Sequence, residues 1–138
     1  EEGIQSKNDQ MMSIDGVGPQ TTLYVLVSTK GFTRFTTPKK FCCHAGVAPF
    51  AYTSGTSKVS RWHVSNRADK KLKRLLHLAA MSAIKMDGEM KEYYERKVAE
   101  CKNAMSVINA VRAKLVHRIF AVVKQNRKYE KNYMPCPV

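Results

Sequence analysis

Long hydrophobic runs are missing from this sequence: no stretch approaches the roughly eighteen consecutive apolar residues of a membrane-spanning helix, and no signal peptide opens the chain. A membrane protein is therefore not expected, and the chain reads as cytoplasmic. Cysteine is sparse and poorly spaced for chemistry. The four present are Cys42, Cys43, Cys101 and Cys136, two of them adjacent and none in a C-x-x-C pair, so neither a disulfide framework nor a zinc site is indicated. Four histidines, His44, His63, His77 and His117, are scattered without ligand spacing. Acid is scarce relative to base: 11 Asp and Glu stand against 24 Lys and Arg. The one acidic cluster, Asp87, Glu89, Glu92 and Glu95, winds around a single predicted helix among basic neighbours, whereas two-metal phosphoryl transfer needs carboxylates converging within a few ångströms. The chain by itself is not expected to hold a metal.

What the sequence does have is positive charge, a net +13 over 138 residues. That length fits one domain able to bury roughly two thirds of its unfolded surface. The charge favours a polyanionic partner, and DNA or RNA is expected. Much of it gathers between Gly46 and Leu76. Pro49 breaks any helix before it, and the residues from Phe50 to Ser57 mix β-formers with hydroxyls and one glycine, which suits an extended hairpin or loop at the surface. Between Lys58 and Arg74 seven basic side chains (Lys58, Arg61, Arg67, Lys70, Lys71, Lys73 and Arg74) face one acid, Asp69. From Asn66 the spacing turns helical, with Leu72, Leu76, Ala79 and Ala83 on one side and Arg67, Lys70, Lys71 and Arg74 on the other. A charge run taken alone is as well explained by a solvated face, and the serines by turns. Interleaved Tyr52, Trp62 and His63 favour nucleic acid, because rings and guanidinium groups stack on bases or pack on the backbone.

In chain order, residues 1–10 read as a polar leader or interdomain linker, as at the edge of a piece of a longer protein. From Met11 a short helix, a Gly16-Val17-Gly18 hairpin and a second helix through about Ser28 make a helix-hairpin-helix over about 11–29. Glycine permits the backbone of such a hairpin, and Pro19 suits the first turn of the following helix. Amides aimed outward there would bind a phosphate without reading a base; the plainer alternative is a tight helix-helix turn. Lys30–Thr37 is a basic, aromatic linker whose Phe32 and Phe35 are expected to plug the core. Pro38 then starts a helix to about His44, with Phe41 and Ala45 inward. After the basic helix, which ends near Lys85, Asp87-Gly88 marks a break. A helix follows from about Glu89 to Cys101, with Met90, Tyr94 and Val98 inward and Glu92–Arg96 and Lys91–Glu95 pairs outside. The last helix, about Met105 to Lys124, puts Ile108, Val111, Leu115, Ile119 and Val122 in the core and Arg112, Lys114, Arg118 and Lys124 outside. Residues 130–138 are expected to fray.

The runs Ala45-Gly46-Val47-Ala48-Pro49, Tyr52-Thr53-Ser54-Gly55, Val64-Ser65-Asn66-Arg67-Ala68-Asp69 and Leu72-Lys73-Arg74-Leu75-Leu76 resemble the C-terminal transposase domain of the insertion-sequence group numbered 110/116/902, to which the Piv DNA invertase belongs. The family pattern is approximately AGLAP, a gap, Y-x-SG, a basic gap, then ISKxGNxxLRxxL. This chain has Asn66, Ala68 and Asp69 where the family has Lys, Gly and Asn. The segments DGEMKEYYERK and NAVRAKLVHRIFAVV resemble the end of the same domain, so the likeness spans about Met11 to Tyr129. The resemblance implies that Ser54 is a nucleophile in DNA strand transfer, with Gly55 letting the DNA backbone approach. It also implies a magnesium-holding N-terminal RuvC-like domain with four acids (a DEDD set), absent from this sequence. A structured guide RNA, the bridge RNA, and a dimer or higher assembly are implied as further partners. Lys58, Arg61, Arg67, Lys70 and Arg74 would then bear the charge developing on the phosphoryl oxygens, Lys71 is expected with them to bind nucleic acid, and Gly16, Val17 and Gly18 would hold a phosphate.

These readings make the chain a mainly α domain of about five or six helices over residues 11–129. An N-terminal helix-hairpin-helix and one irregular or β-hairpin-like insert carrying Ser54 complete it. Function divides three ways: the catalytic and DNA-binding half of a serine-dependent transposase, a non-catalytic helix-hairpin-helix module gripping nucleic-acid phosphates, or a serine hydrolase using Ser54 and His63. The last lacks a G-x-S-x-G elbow and has cations where an acyl group would sit.

Overall fold

A computed structural model describes residues 2–47, 50–51, 62–63 and 68–130. Among them six helices follow one another: α1 (Glu2–Met12), α2 (Pro19–Ser28), α3 (Pro38–Ala45), α4 (Lys70–Lys85), α5 (Glu89–Ala99) and α6 (Ala104–Gln125). Between α3 and α4 two short strands, β1 (Phe50–Ala51) and β2 (Trp62–His63), pair antiparallel with Phe50 opposite His63. No helix among the described residues is long and apolar enough to cross a membrane.

The 22-residue α6 is the axis of the bundle. Its Ile108, Val111, Leu115, Val116, Ile119 and Val122 are all buried, and α1, α3, α4 and α5 all pack against it. Both ends are defined by asparagine. Asn103 accepts from the amides of Met105 and Ser106 at the N-terminus, and Asn126 at φ 53° ends the helix in the left-handed conformation. The Asn126 side chain also accepts from Gln10 Nε2 at 2.7 Å, which clamps α1 to the far end of α6. A ring cluster closes the α3 side, with Phe120 touching Phe32 (5.1 Å between centroids) and Phe41 (5.6 Å), and Phe35 edge-on to Phe41 (5.3 Å). Phe32 and Phe35 therefore plug the core as expected.

Helix directions follow from side-chain contacts. Glu89 at the start of α5 binds Arg118 late in α6 (2.6 Å), and Tyr93 one turn on lies under Lys114 (4.6 Å), so α5 runs antiparallel to α6. Because α4 ends beside the start of α5, its own N-terminus lies toward the early turns of α6.

Several details depart from the expectations above. The first helix begins at Glu2, and Gln10 and Met11 are buried, because the polar stretch before Met11 lies along α2 and α6 with its Gln10 bonded to Asn126. The basic helix starts at Lys70, capped by Asp69. Val98 is 39% exposed, since α5 diverges from the core toward its C-terminus, while Met90 is buried and Tyr94 packs on the core. Lys91 bonds Asp87 (2.8 Å) and not Glu95, and Arg96 lies over the Tyr93 ring. Arg112 is buried, contrary to its assignment to the outer face, because it falls in the same stripe as Ile108, Leu115 and Ile119.

The turn from α1 to α2 is held against α4. Gly16 has φ +89°, and a Cβ there would come 2.5 Å from Ala79 O and 2.9 Å from Ala83 N. Gly16→Ala must therefore strain its own backbone and push α2 away from α4, an expected loss of about 2–4 kcal/mol. A urea midpoint equal to that of the wild-type chain would show that this close approach does not exist.

Candidate functional site

The chain leaves the bundle after α3 and returns at the start of α4 by way of the insert that contains Ser54, and both ends of that excursion are tied down. Gly46, at φ +72°, ends α3. Asn109 Nδ2 of α6 then donates to Val47 O at 3.0 Å. On the return side the Asp69 amide donates to His44 O at 2.9 Å, joining the end of the insert to the end of α3. The β1–β2 pairing brings the chain together again within the insert. Ser54, Gly55, Lys58, Arg61 and Arg67 lie outside the described residues.

Asp69 is the centre of this junction. Its carboxylate accepts from the amides of Lys71 and Leu72, so it caps α4. It accepts also from Tyr24 Oη of α2, at 2.9 Å, and stands 3.8 Å from His44 Nε2 of α3. One carboxylate thus links three helices at the root of the insert. The hydrogen bond to Asp69 raises the Tyr24 phenol above its ordinary pKa of 10, with desolvation and the carboxylate's charge acting in the same direction. Lys71 Nζ lies 5.2 Å from the Tyr24 ring centroid.

Positive charge is concentrated at the same place. Lys70, Lys71 and Arg74 are exposed on α4, and no described carboxylate lies within ion-pair distance of them or of Lys73. The first turn of α4 holds no acid, so these cations sit at the positive end of the helix dipole. That placement opposes the dipole preference by about 0.3–1 kcal/mol per charge. The arrangement favours an anion over folding stability.

The three residues proposed for the hairpin are placed differently. Gly16 packs on the later turns of α4, Val17 is buried with its amide donated to Ile14 O, and only Gly18 has open space around its Cα. Gly18 begins α2 without a side-chain cap, and Pro19 occupies the first turn. The α4 residues that this turn touches, Ala79 and Ala83, lie five to thirteen residues along the helix from Arg74, Lys71 and Lys70, about 8–20 Å. The turn and the cations are two separate points on the surface.

Elsewhere several described groups that could carry chemistry are engaged or buried, while Cys43 and Cys101 are exposed free thiols. Glu89 binds Arg118 and Asp87 binds Lys91. Burial pushes the Cys42 thiol up to about 12, with Cys43 adding to the shift. Among the described residues no group of three His, Cys, Asp or Glu gathers as metal ligands would. Sequence reading gave no site role to Tyr24, His44, Asp69 or Asn109. Only Asp69 had a local signal, an N-cap residue directly before Lys70-Lys71-Leu72.

The described residues make a helical bundle with Lys70, Lys71, Lys73 and Arg74 at the root of an insert, and comparison with known proteins gives the family. The family model described as "Transposase IS116/IS110/IS902 family" matches residues 8–95, from α1 into α5, and the chain belongs to that family. It is 29% identical over 128 residues to the insertion element IS110 uncharacterized 43.6 kDa protein of Streptomyces coelicolor, covering 93% of this chain and 31% of that protein. It is 25% identical over 122 residues to the pilin gene-inverting proteins of Moraxella bovis and Moraxella lacunata, covering 88% of this chain and 38% of each of those. The chain spans about a third of the length of these relatives.

Two outcomes test the junction. Asp69→Ala removes a helix cap and a hydrogen bond to Tyr24 together, with an expected loss of about 2–4 kcal/mol by denaturant unfolding, while Asp69→Asn retains the cap and loses about 1. Because the folded state raises the Tyr24 pKa, this stabilisation is complete below pH 10 and is lost as pH rises through the higher folded value. Tyr24→Phe, which cannot ionise, should remove that component of alkaline destabilisation. Identical stability profiles from pH 9 to 12 for the two proteins would disprove the Tyr24–Asp69 bond.

Proposed function

We propose that this chain is the serine-bearing, DNA-binding half of an insertion-sequence recombinase, with Ser54 as the nucleophile of strand transfer. The observation that carries the reading is the cationic start of α4, whose lysines and arginine have no ion pair with a described carboxylate, at the root of the insert in which Ser54 lies. A backbone phosphate drawn to that point would meet the side chains of Lys70, Lys71 and Arg74 beside the Asp69-capped start of the helix. Lys58, Arg61 and Arg67 belong to the same basic segment, and Gly55 would leave room beside the serine.

In the proposed step Ser54 Oγ attacks the phosphorus of a phosphodiester. A Ser O–P bond forms, the P–O3′ bond breaks, and the serine proton is balanced by one taken up at the departing 3′ oxygen. A 3′ hydroxyl of a second strand then attacks the phosphoserine, restoring a phosphodiester and the serine. No hydrolysis occurs and the bond energy is conserved. Among the described residues no three carboxylates gather as magnesium ligands would, and the metal would belong with the N-terminal domain that the resemblance implies. The uncapped start of α2 at Gly18 serves as a second phosphate contact, which is how the helix-hairpin-helix would contribute. A bridge RNA would compete for the same positive surface, and two or more copies would be needed to exchange strands.

Relatives with names such as pilin gene-inverting protein support DNA as the substrate. In the full-length protein, Ser54→Ala should lower strand exchange by about 10³-fold or more and abolish the protein–DNA conjugate trapped under denaturing conditions. DNA affinity should stay within about threefold, since one neutral hydroxyl is removed and the phosphate contacts that dominate affinity remain. Recombination by the alanine variant would rule out this serine. A wild-type protein that binds DNA yet yields no conjugate would favour the purely binding module.

A further inference from the structure

Where the linker between α2 and α3 crosses the last turns of α6, the surface opens into a mostly apolar cavity of about 560 Å³. Its size falls in the range of about 300–1,000 Å³ that small-ligand sites occupy. None of its lining residues belongs to the insert or to α4, so the strand-transfer reading leaves it without a role.

The cavity is built around rings. Phe120 is buried and meets Phe32 edge-on at 5.1 Å, and Phe35 stands edge-on to Phe41 at 5.3 Å. Phe32 and Phe35 are each half-buried, so each packs on the core and lines the cavity as well. Phe32 also has φ +69°, a left-handed conformation that a bulky side chain rarely adopts and that glycine adopts freely. Two hydrogen bonds fix this turn: the Phe32 amide donates to Thr29 Oγ1 at 3.1 Å, and Lys7 Nζ donates to Gly31 O at 2.8 Å. Backbone strain held in place around a half-exposed ring is a feature that clusters at ligand sites.

Charge decides what such a cavity would take. His117 and Lys124, both exposed, are among its lining residues, no carboxylate is, and Lys124 has no ion pair with a described carboxylate. Arg34 lies 5.3 Å from the centroid of the Phe35 ring. An apolar peptide would leave these cations without a partner, whereas an unpaired nucleotide offers a flat ring to the phenylalanines and a phosphate to the cations. A base inside a duplex exposes only its edges, so the base in question is one that has left the stack.

We infer that this cavity holds one unpaired base of a DNA strand, with the adjoining phosphate at Lys124. The inference shares a DNA partner with the recombinase reading, but it depends neither on Ser54 nor on the insert.

The test measures binding of the chain, by fluorescence anisotropy, to a short oligothymidine strand and to an abasic deoxyribose-phosphate strand of the same length. Wild type should bind the thymidine strand about 5- to 150-fold more tightly, the value of one base stacked on an aromatic side chain. Ala121→Leu fills the cavity from an exposed position on α6 without a change of charge. It should cut that preference to about twofold or less and leave abasic binding unchanged, since the phosphate contacts remain. Phe32→Leu, which removes the ring, should lose the preference likewise; where it fails to fold, Ala121→Leu decides alone. Lys124→Ala should make log affinity for the thymidine strand fall about 0.7 less steeply with log salt, the value of one phosphate contact on a single strand. Equal binding of the two strands by wild type overturns the inference and leaves the recombinase reading intact. A preference that survives Ala121→Leu overturns it too, because the base is then held elsewhere, and an unchanged salt slope overturns the place given to Lys124. A preference shown only by the corresponding RNA strand overturns the assignment to DNA. Binding of neither strand would count against the inference and the recombinase reading together.

Discussion

An insert of about twenty residues can interrupt a helical bundle only if the chain leaves and returns at nearly the same point, and here the closure is the Asp69 amide bonded to His44 O. The Asp69 carboxylate reinforces it from the other side, capping α4 while accepting from Tyr24 of α2. Three helices are thereby fixed in mutual position at the one place where the chain departs from them. Asn109 does the same for the outgoing strand from α6. The rest of the bundle, packed around α6, gives that junction a rigid base.

The electrostatics of the junction make sense as a compromise between folding and binding. Lysines in the first turn of α4 oppose its dipole, and the Asp69 cap offsets part of that cost. A polyanion brought to that end would relieve the rest, so binding free energy there would offset a deficit held in the unliganded fold. The exposed cations have the reach and number to attract such a partner.

Much of the bundle was legible in the sequence because its elements carry local signals. Pro38 and Gly46 bracket α3, Asp87-Gly88 separates α4 from α5, and the stripe Ile108, Val111, Leu115, Ile119 and Val122 is the buried arc of α6. The motif runs around Ser54 pointed to the family on which the comparison agrees. Errors came where one face had to be chosen for a residue whose chemistry and position disagree. Arg112 was put outside on charge alone, although it is four residues from Ile108 and three from Leu115. Val98 was put inside on spacing alone, although only tertiary contact decides where α5 leaves the core. The polar residues before Met11 gave no apolar pattern, yet Gln10 is buried because its amide reaches Asn126.

By itself the sequence determined the class of the chain: helices from patterning and caps, a polyanion from the excess of lysine and arginine, and a family from short motifs. The tertiary structure alone decided that Asp69 joins Tyr24, 45 residues away, that Asn109 holds Val47, 62 residues away, and that Gly16 lies against Ala79 and Ala83. Such pairings depend on how helices cross, and a crossing leaves no periodicity in either partner. For the same reason the burial of Arg112 could be known only once its neighbours were in place.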